Sequence, residues 1–378
     1  MKPEKAILVA AVLADFCYSI AALTIPMVLV KELGLGPLEC GWIAAAASLP
    51  YTIACFAFGK LARREEHRRF WSLVAMAWLA TGLVALAFAK SFSGYFLWVA
   101  TLPALGLFWP VAQAWMGGRN TPQETSRRLR YFNVAWTVGM MIGFAAAGAI
   151  YRYGAAWSFL SAAGVAVIIG IMLWFVQTPA PASASALDAG PAAVVHGPDL
   201  VRLAWVGNFA AYFGLGIVRS IYPDLGHYLG YSESLIGGLE ATLMGVQAVA
   251  FLLLVNHAWM YRRGFLFSGL LAGLLGLVCL FVSRAPFVHG FGMVLLGVMA
   301  AVAYKFSLFH SVVRPAGGRT LTGAHEGILS AGSLLGFVLG GYAGHVTGNH
   351  FAPYQLSAVV LAVVLVGYVI MWRRKAAA

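Results

Sequence analysis

The feature that most limits this chain is the length of its uncharged apolar runs. Trp71 to Ala89 and Leu356 to Trp372 contain no charged residue, and Ala6 to Val30 contains only Asp15. As helix, at about 1.5 Å per residue, each can cross roughly 30 Å of hydrocarbon. Such runs are far longer than strands, and a helix satisfies its own backbone in lipid. Composition agrees: 10% of the 378 residues are charged, against about 25% in a soluble domain, and mean hydropathy is +0.82. Disorder, collagen, a coiled coil and nearly every soluble enzyme fold are excluded. The expected fold is an all-α polytopic membrane protein.

Cutting at charged and Pro/Gly-rich breaks gives twelve helical spans: 6–30, 38–59, 70–89, 94–117, 130–151, 155–177, 200–222, 233–256, 264–283, 287–312, 324–347 and 353–372. Lys2 and Lys5 precede an apolar run, as in a secretory leader, but the run outlasts a leader's core of about 7–15 residues and reads as the first span. An even number of spans puts both termini on one side. That side carries Lys2, Lys5, Lys60, Arg63, Arg64, Arg68, Arg69, Arg119, Arg127, Arg128, Arg130, Arg202, Arg262, Arg263, Arg314, Arg319, Arg373, Arg374 and Lys375; the other carries Lys31, Lys90, Arg152 and Arg284. This bias predicts cytoplasmic termini in a bacterial-type inner membrane. Arg219 and Lys305 are left inside spans.

The net charge of +12 does not point to nucleic acid, because the basic residues lie in short clusters between apolar spans rather than on one face. Cys17, Cys40, Cys55 and Cys279 are isolated, with neither metal-ligand spacing nor a disulfide framework. No metal or cofactor is expected. The absence of a Walker loop, a GxSxG elbow and HExxH from the sequence argues against an enzyme or an ATP-driven pump.

Thr178 to Asp199, rich in Pro, Ala and Ser, reads as a cytoplasmic linker (178–199) between a six-helix bundle over 1–177 and another over 200–378. The halves share landmarks, as an internal duplication predicts. Asn133, Gly139, Gly143 and Gly148 in the fifth span recur as Glu326, Gly332, Gly336 and Gly340-Gly341 in the eleventh. Asp15-Phe16 and Ile25-Pro26 in the first span recur as Asn208-Phe209 and Tyr222-Pro223 near the seventh, with the second interval four residues longer.

The six-plus-six arrangement, the central linker and a basic loop after the second span together resemble the major facilitator superfamily of secondary transporters. The family signature in that loop is Gly-x-Leu-Ala-Asp-Arg-x-Gly-Arg-Lys/Arg. The segment from Phe58 to Arg69 matches at Gly59, Leu61, Ala62, Arg64 and Arg68. Arg63 replaces the signature Asp, which in the family helps latch the outward-open state, so the latch is lost or rebuilt with Glu65 or Glu66. Gly139 to Gly148 resembles the family's export-associated pattern but has Phe144 for its Pro and Ala147 for one Gly, which leaves import and export open. The resemblance implies gating positions at Gly59, Arg63, Arg64, Arg68, Gly139, Gly143, Gly148, Gly332 and Gly336. For these glycines the simpler reading is close helix packing in lipid.

Ionisable side chains are costly inside a membrane and are functional candidates by default, with an internal ion pair as the plain alternative. Asp15 lies near the midplane, where a carboxylate can alternate between neutral and charged forms and couple to protons. Arg219 and Glu240 fall at similar depth and suggest a strut or a gate, with Glu240, like Asp15, a candidate for the protonation that permits the transition; Arg219 could equally take a carboxylate or phosphate in its planar fork. Lys305, beside Tyr304, could snorkel to the interface, attract an anion or pair with Glu326. Glu326 reads first as a cap of the eleventh helix and second as a proton-release site. Tyr18, Trp109, Trp115, Tyr212, Tyr222 and Tyr304, with Gln113, Asn208, Asn133 and Trp136, would line an amphipathic pocket.

The expectation is a secondary active transporter, a monomer in the lipid bilayer, that moves a small organic solute by alternating access. Two cationic residues within spans favour an anionic solute, and proton coupling is expected. Efflux of lipophilic drugs is the rival within the class, and a non-transporting receptor or scaffold is the rival outside it.

Overall fold

The computed structural model describes residues 3–58, 65–117, 122–176, 198–254, 257–312 and 322–376. Twelve of its helical segments are long and apolar enough to cross a membrane, and no strand occurs among the described residues. In chain order, spans 1 to 6 are Glu4–Lys31, Pro37–Phe58, Arg68–Ala87, Ser93–Trp115, Arg130–Tyr151 and Ala155–Trp174. Spans 7 to 12 are Leu200–Tyr228, Glu233–Leu253, Arg263–Val282, Pro286–Ser311, His325–Thr347 and Ala352–Trp372. Span 4 is composite: a 3-10 turn over Ser93–Phe96, a short helix over Leu97–Thr101, then a helix over Pro103–Gly117. Proline suits that restart, because a first-turn N–H has no helical partner to lose.

The all-α polytopic fold read from the sequence is the observed one. The largest boundary difference is span 7, which continues six residues beyond 222 to Tyr228 with Pro223 inside the helix. A proline that ends a helix in water is tolerated in a packed membrane helix, where neighbouring groups take up the freed carbonyl. Most of the 178–199 segment, together with Gly59, Arg63 and Arg64, lies outside the described residues.

The chain forms two compact units. Unit 1 contains Met1–Gly34, Ile43–Asp188 and Ser232–Met244; unit 2 contains Leu35–Trp42, Ala189–Tyr231 and Gly245–Ala378. The opening turns of span 2 thus belong with the C-terminal spans, and those of span 8 with the N-terminal ones. In unit 1 the terminus-side ends of spans 1 and 5 are tied by an ion pair of 2.7 Å between Glu4 and Arg128.

Each unit is organised around one glycine-mediated helix pair. A Cβ on Gly139 would stand 2.2 Å from the Val12 carbonyl oxygen, and one on Gly143 2.7 Å from that of Phe16, so span 5 lies directly on the backbone of span 1. In unit 2 a Cβ on Gly332 would stand 2.6 Å from the Phe209 oxygen, and one on Gly336 2.2 Å from that of Phe213, placing span 11 on span 7. Only glycine permits that approach, which is how helices gain dispersion energy in lipid without a hydrophobic driving force. A second crossing repeats as well. Gly148 meets the backbone of Glu233 and Gly237 that of Phe144 in unit 1, while Gly341 meets Pro37 and Gly41 meets Phe337 in unit 2.

These contacts fix the internal alignment. Val12 pairs with Phe209, Phe16 with Phe213 and Pro26 with Pro223, all at one offset, so the counterpart of Asp15 is Tyr212 and not Asn208. The four-residue discrepancy in the landmark comparison disappears, because matching Asp with Asn by type had skipped one helical turn.

Candidate functional site

A cluster of buried polar residues lies inside unit 2. Span 7 presents Asn208, Tyr212 and Arg219 within about 40° of one another at 3.6 residues per turn. Asn208 and Tyr212 are buried and Arg219 half-buried. The Arg219 guanidinium stands 5.9 Å from the centre of the Tyr212 ring, a cation–π placement. Tyr304 of span 10 packs 6.4 Å from Tyr212 and 5.6 Å from Phe251 of span 8. The ring of His325, at the start of span 11, meets Tyr304 edge-on at 4.9 Å and lies 2.8 Å through Nδ1 from the Ser307 hydroxyl.

Several polar atoms of this cluster find no hydrogen-bond partner among the described residues. They are both amide atoms of Asn208, both of Gln247, the Tyr212 hydroxyl and His325 Nε2. Gln247 lies beside the Tyr212 hydroxyl without reaching hydrogen-bond geometry. Each such atom costs about 1–3 kcal/mol if it stays unmet. Unmet donors and acceptors, a guanidinium and four aromatic rings thus lie together in this part of unit 2. Glu326 is exposed and within electrostatic reach of Tyr212 and Tyr304. Its capping role is not observed. The helix begins at Thr322, so Glu326 stands beyond the first turn, where the helix dipole gives it little.

Two further sequence candidates lie in unit 2. Tyr222 is fully buried; its hydroxyl lies 2.8 Å from His289 Nδ1, and the opposite ring nitrogen lies 3.0 Å from the Ser283 carbonyl. Lys305 is half-buried on span 10.

The remaining candidates lie in unit 1. Asp15 is 7% exposed on span 1, between the two glycine contact points, and its backbone carbonyl accepts from the Ser19 hydroxyl at 2.6 Å. Glu240 is buried in the unit 1 portion of span 8, whereas Arg219 belongs to unit 2. Tyr18 packs against Trp98 at 6.2 Å and Trp109 edge-on against Phe132 at 5.8 Å. Asn133 accepts from the Trp136 indole at 3.2 Å, Trp115 is buried and Gln113 is exposed. Arg68 opens span 3 at its terminus-side end.

The sequence reading does not single out Gln247, Ser307 or Phe251, and it notes His325 only as the residue beside Glu326. A buried neutral polar group in an apolar span, such as Gln247 or Ser307, carries the same kind of signal as an ionisable one, weaker in size.

A twelve-span helical membrane protein with an internal duplication and a polar patch deep in one unit is the architecture of a solute carrier. The comparisons name the family: the profile described as Major Facilitator Superfamily matches residues 7–202. The chain belongs to that superfamily. A putative glycerol-3-phosphate transporter 2 of Arabidopsis thaliana is 27% identical over 139 residues, which cover 35% of this chain and 28% of that relative's length. A crystal structure of a point mutant of the nucleoside transporter NupG superposes with a TM-score of 0.76 at 10% identity, covering 97% of this chain and 99% of that one. A bacterial homologue of the human lysosomal transporter Spinster gives 0.74 at 14% identity, covering 99% and 98%. These likenesses bear out the expected fold and family.

Proposed function

We propose that this protein is a secondary transporter that moves a small polar organic solute bearing an acidic group, with the unit 2 patch as its recognition site. The observation that carries the reading is the set of unmet buried polar atoms on Asn208, Tyr212, Gln247 and His325 around the Arg219–Tyr212 stack. An incoming phosphate or carboxylate takes the guanidinium in bidentate fashion, while the amides and the Tyr212 hydroxyl bind the solute's hydroxyls. Tyr304 and Phe251 supply the apolar wall. The glycerol phosphate named for the plant relative is of this chemical class. Asp15, buried at the point where spans 1 and 5 touch, is suited to carry the coupled proton, and Glu240 and Glu326 are the further candidates. The protein works by alternating access as a monomer in a bacterial-type inner membrane, termini in the cytoplasm.

The test is uptake into proteoliposomes of labelled glycerol 3-phosphate beside an uncharged nucleoside. The phosphate ester is expected to accumulate, and Arg219→Ala to slow it about 10- to 100-fold, the value of a charged hydrogen bond. Arg219→Lys restores little, because an ammonium lacks the fork. Glycerol 3-phosphate uptake at the same rate by wild type and Arg219→Ala, or nucleoside uptake as fast as that of the phosphate ester, would place recognition elsewhere. Retention of lipophilic cations would point to drug export, and no flux of any solute to a receptor or scaffold.

A further inference from the structure

Unit 1 carries a second feature, remote from Arg219 in sequence and different in chemistry. Between spans 3 and 6 lies an open groove of about 480 Å³ whose lining side chains are all apolar, within the range of about 300–1,000 Å³ typical of ligand sites. The groove is open because several residues that line it are small: Ala77 and Ala80 on span 3, Ala166 and Gly170 on span 6. A Cβ added at Gly170 would only just touch that of Met76, at 3.8 Å. The lining runs from Ala166 to Phe175 on span 6, about 14 Å of helix.

One end of this groove is marked. Trp174 and Phe175 stand exposed at its mouth, 58% and 76%, and the Arg69 guanidinium lies 5.2 Å from the centre of the Trp174 ring. Arg69 sits in the first turn of span 3, directly after Arg68, at the terminus-side end of the unit. The acidic neighbour Glu66 is 3.9 Å from His67. The groove is therefore apolar along its length and cationic at one end, with an indole at the last residue of span 6. Lipid tails are as apolar as the groove, so hydrophobicity alone selects nothing there; shape and the terminal charge must. A basic position at the end of a groove between spans is suited to a phosphate headgroup, and a tryptophan to the interface itself.

We propose that the groove between spans 3 and 6 is a binding site for one acyl chain of an anionic phospholipid, whose phosphate is held by Arg69 against Trp174. The occupant is a bilayer lipid from the leaflet that bathes the terminus-side loops. Gly170 and the three alanines open the channel for the chain, and Arg69 supplies the preference for negative headgroups.

The test is native mass spectrometry of the full chain in detergent, titrated with phosphatidylglycerol or with phosphatidylcholine of the same chain length. Wild type is expected to retain phosphatidylglycerol about fivefold better, the value of one basic side chain at a lipid surface. Arg69→Gln should bring the two lipids level. Gly170→Leu, which fills the channel, should remove both adducts, and Ala77→Leu fills it from the opposite wall should the first variant not fold. Gly164→Leu, on the same span where nothing lies within 4 Å, should bind as wild type. Inorganic phosphate alone should not displace the lipid. The proposal is overturned if wild type takes both lipids equally, if both filled variants keep their adducts, if phosphate displaces the lipid, or if filling abolishes a dimer seen on size exclusion, which would make the groove a contact between copies of this chain.

Discussion

The span 1 and span 5 pair of unit 1 and the span 7 and span 11 pair of unit 2 are held together in the same way and equipped differently. Both rest on two glycines one helical turn apart, set on the carbonyls of residues one turn apart: Gly139 and Gly143 on Val12 and Phe16, Gly332 and Gly336 on Phe209 and Phe213. Beside that contact unit 1 has Asp15, and unit 2 at the equivalent place has Tyr212, followed by Arg219 two turns on. The packing device has been kept in both copies because any side chain at those glycines collides with backbone, which cannot move aside as a side chain can. The neighbouring position is free of that constraint, so it could become a carboxylate in one copy and part of the polar patch around Arg219 in the other.

The largest effect should come from breaking the shared device. Gly139→Val and Gly336→Val each place atoms about 2.2 Å from a carbonyl oxygen, and overpacking of that severity costs about 3 kcal/mol or more. Both variants should lose most of their folded yield in fluorescence-detected size exclusion, and to a similar degree. Gly327→Ala and Gly367→Ala, where nothing lies within 4 Å, should behave as wild type. A protein that tolerates Gly336→Val but unfolds with Gly139→Val would show that the two pairs are not equivalent.

The second test separates the two chemistries. Asp15→Asn keeps the shape and removes the charge; uptake driven by a pH gradient should fall to the rate seen without one, while solute exchange persists. Tyr212→Phe removes one hydroxyl, worth about 1 kcal/mol, so apparent solute affinity should weaken about fivefold with the response to the pH gradient intact. If Asp15→Asn leaves pH-driven uptake unchanged, the proton assignment fails while the Arg219 reading stands.

How much of this the sequence holds depends on what fixes each feature. The spans are legible because hydrocarbon thickness sets a minimum apolar length, and eleven of the twelve agree to within four residues at each end. Span 7 was cut short at Pro223 because proline weighs more in water than in a packed bundle. The glycine spacings are legible as spacings, but which carbonyl each glycine rests on is a matter of helix rotation, and that contact is what moves the counterpart of Asp15 from Asn208 to Tyr212. Arg219 and Tyr304 could be picked out from charge and ring alone. Gln247 could not, since its importance lies in being buried with both amide atoms unmet, a fact of packing that composition does not carry.

The smallest effects belong to the far ends of the units, opposite the termini, where the comparison becomes one of burial. In unit 1 Lys31 pairs with Glu233 and Glu32 accepts from the Tyr151 hydroxyl at 2.7 Å; the Lys31 side chain is 49% exposed. In unit 2 Asp224 is 3% exposed, pairs with His350 at 2.6 Å, and His350 is stacked on Tyr228 at 4.3 Å. His227 lies near enough to support the Asp224 charge and Glu39 near enough to oppose it. An exposed pair is worth about 0–1 kcal/mol and is screened by salt, whereas removing one partner of a buried pair leaves the other uncompensated. His350 is one-third exposed, so the penalty in unit 2 is moderated by water, to about 2 kcal/mol. Thermal unfolding in detergent should therefore show a clearly larger drop for Asp224→Ala than for Lys31→Ala, whose midpoint should move by less than about 2 °C. Raising the salt to about 0.5 M should erase the Lys31→Ala difference and leave most of that of Asp224→Ala, because screening acts on the exposed pair and barely reaches the buried one. Equal shifts for the two variants would mean that the ends of the units are built alike and that burial at Asp224 does not decide its contribution.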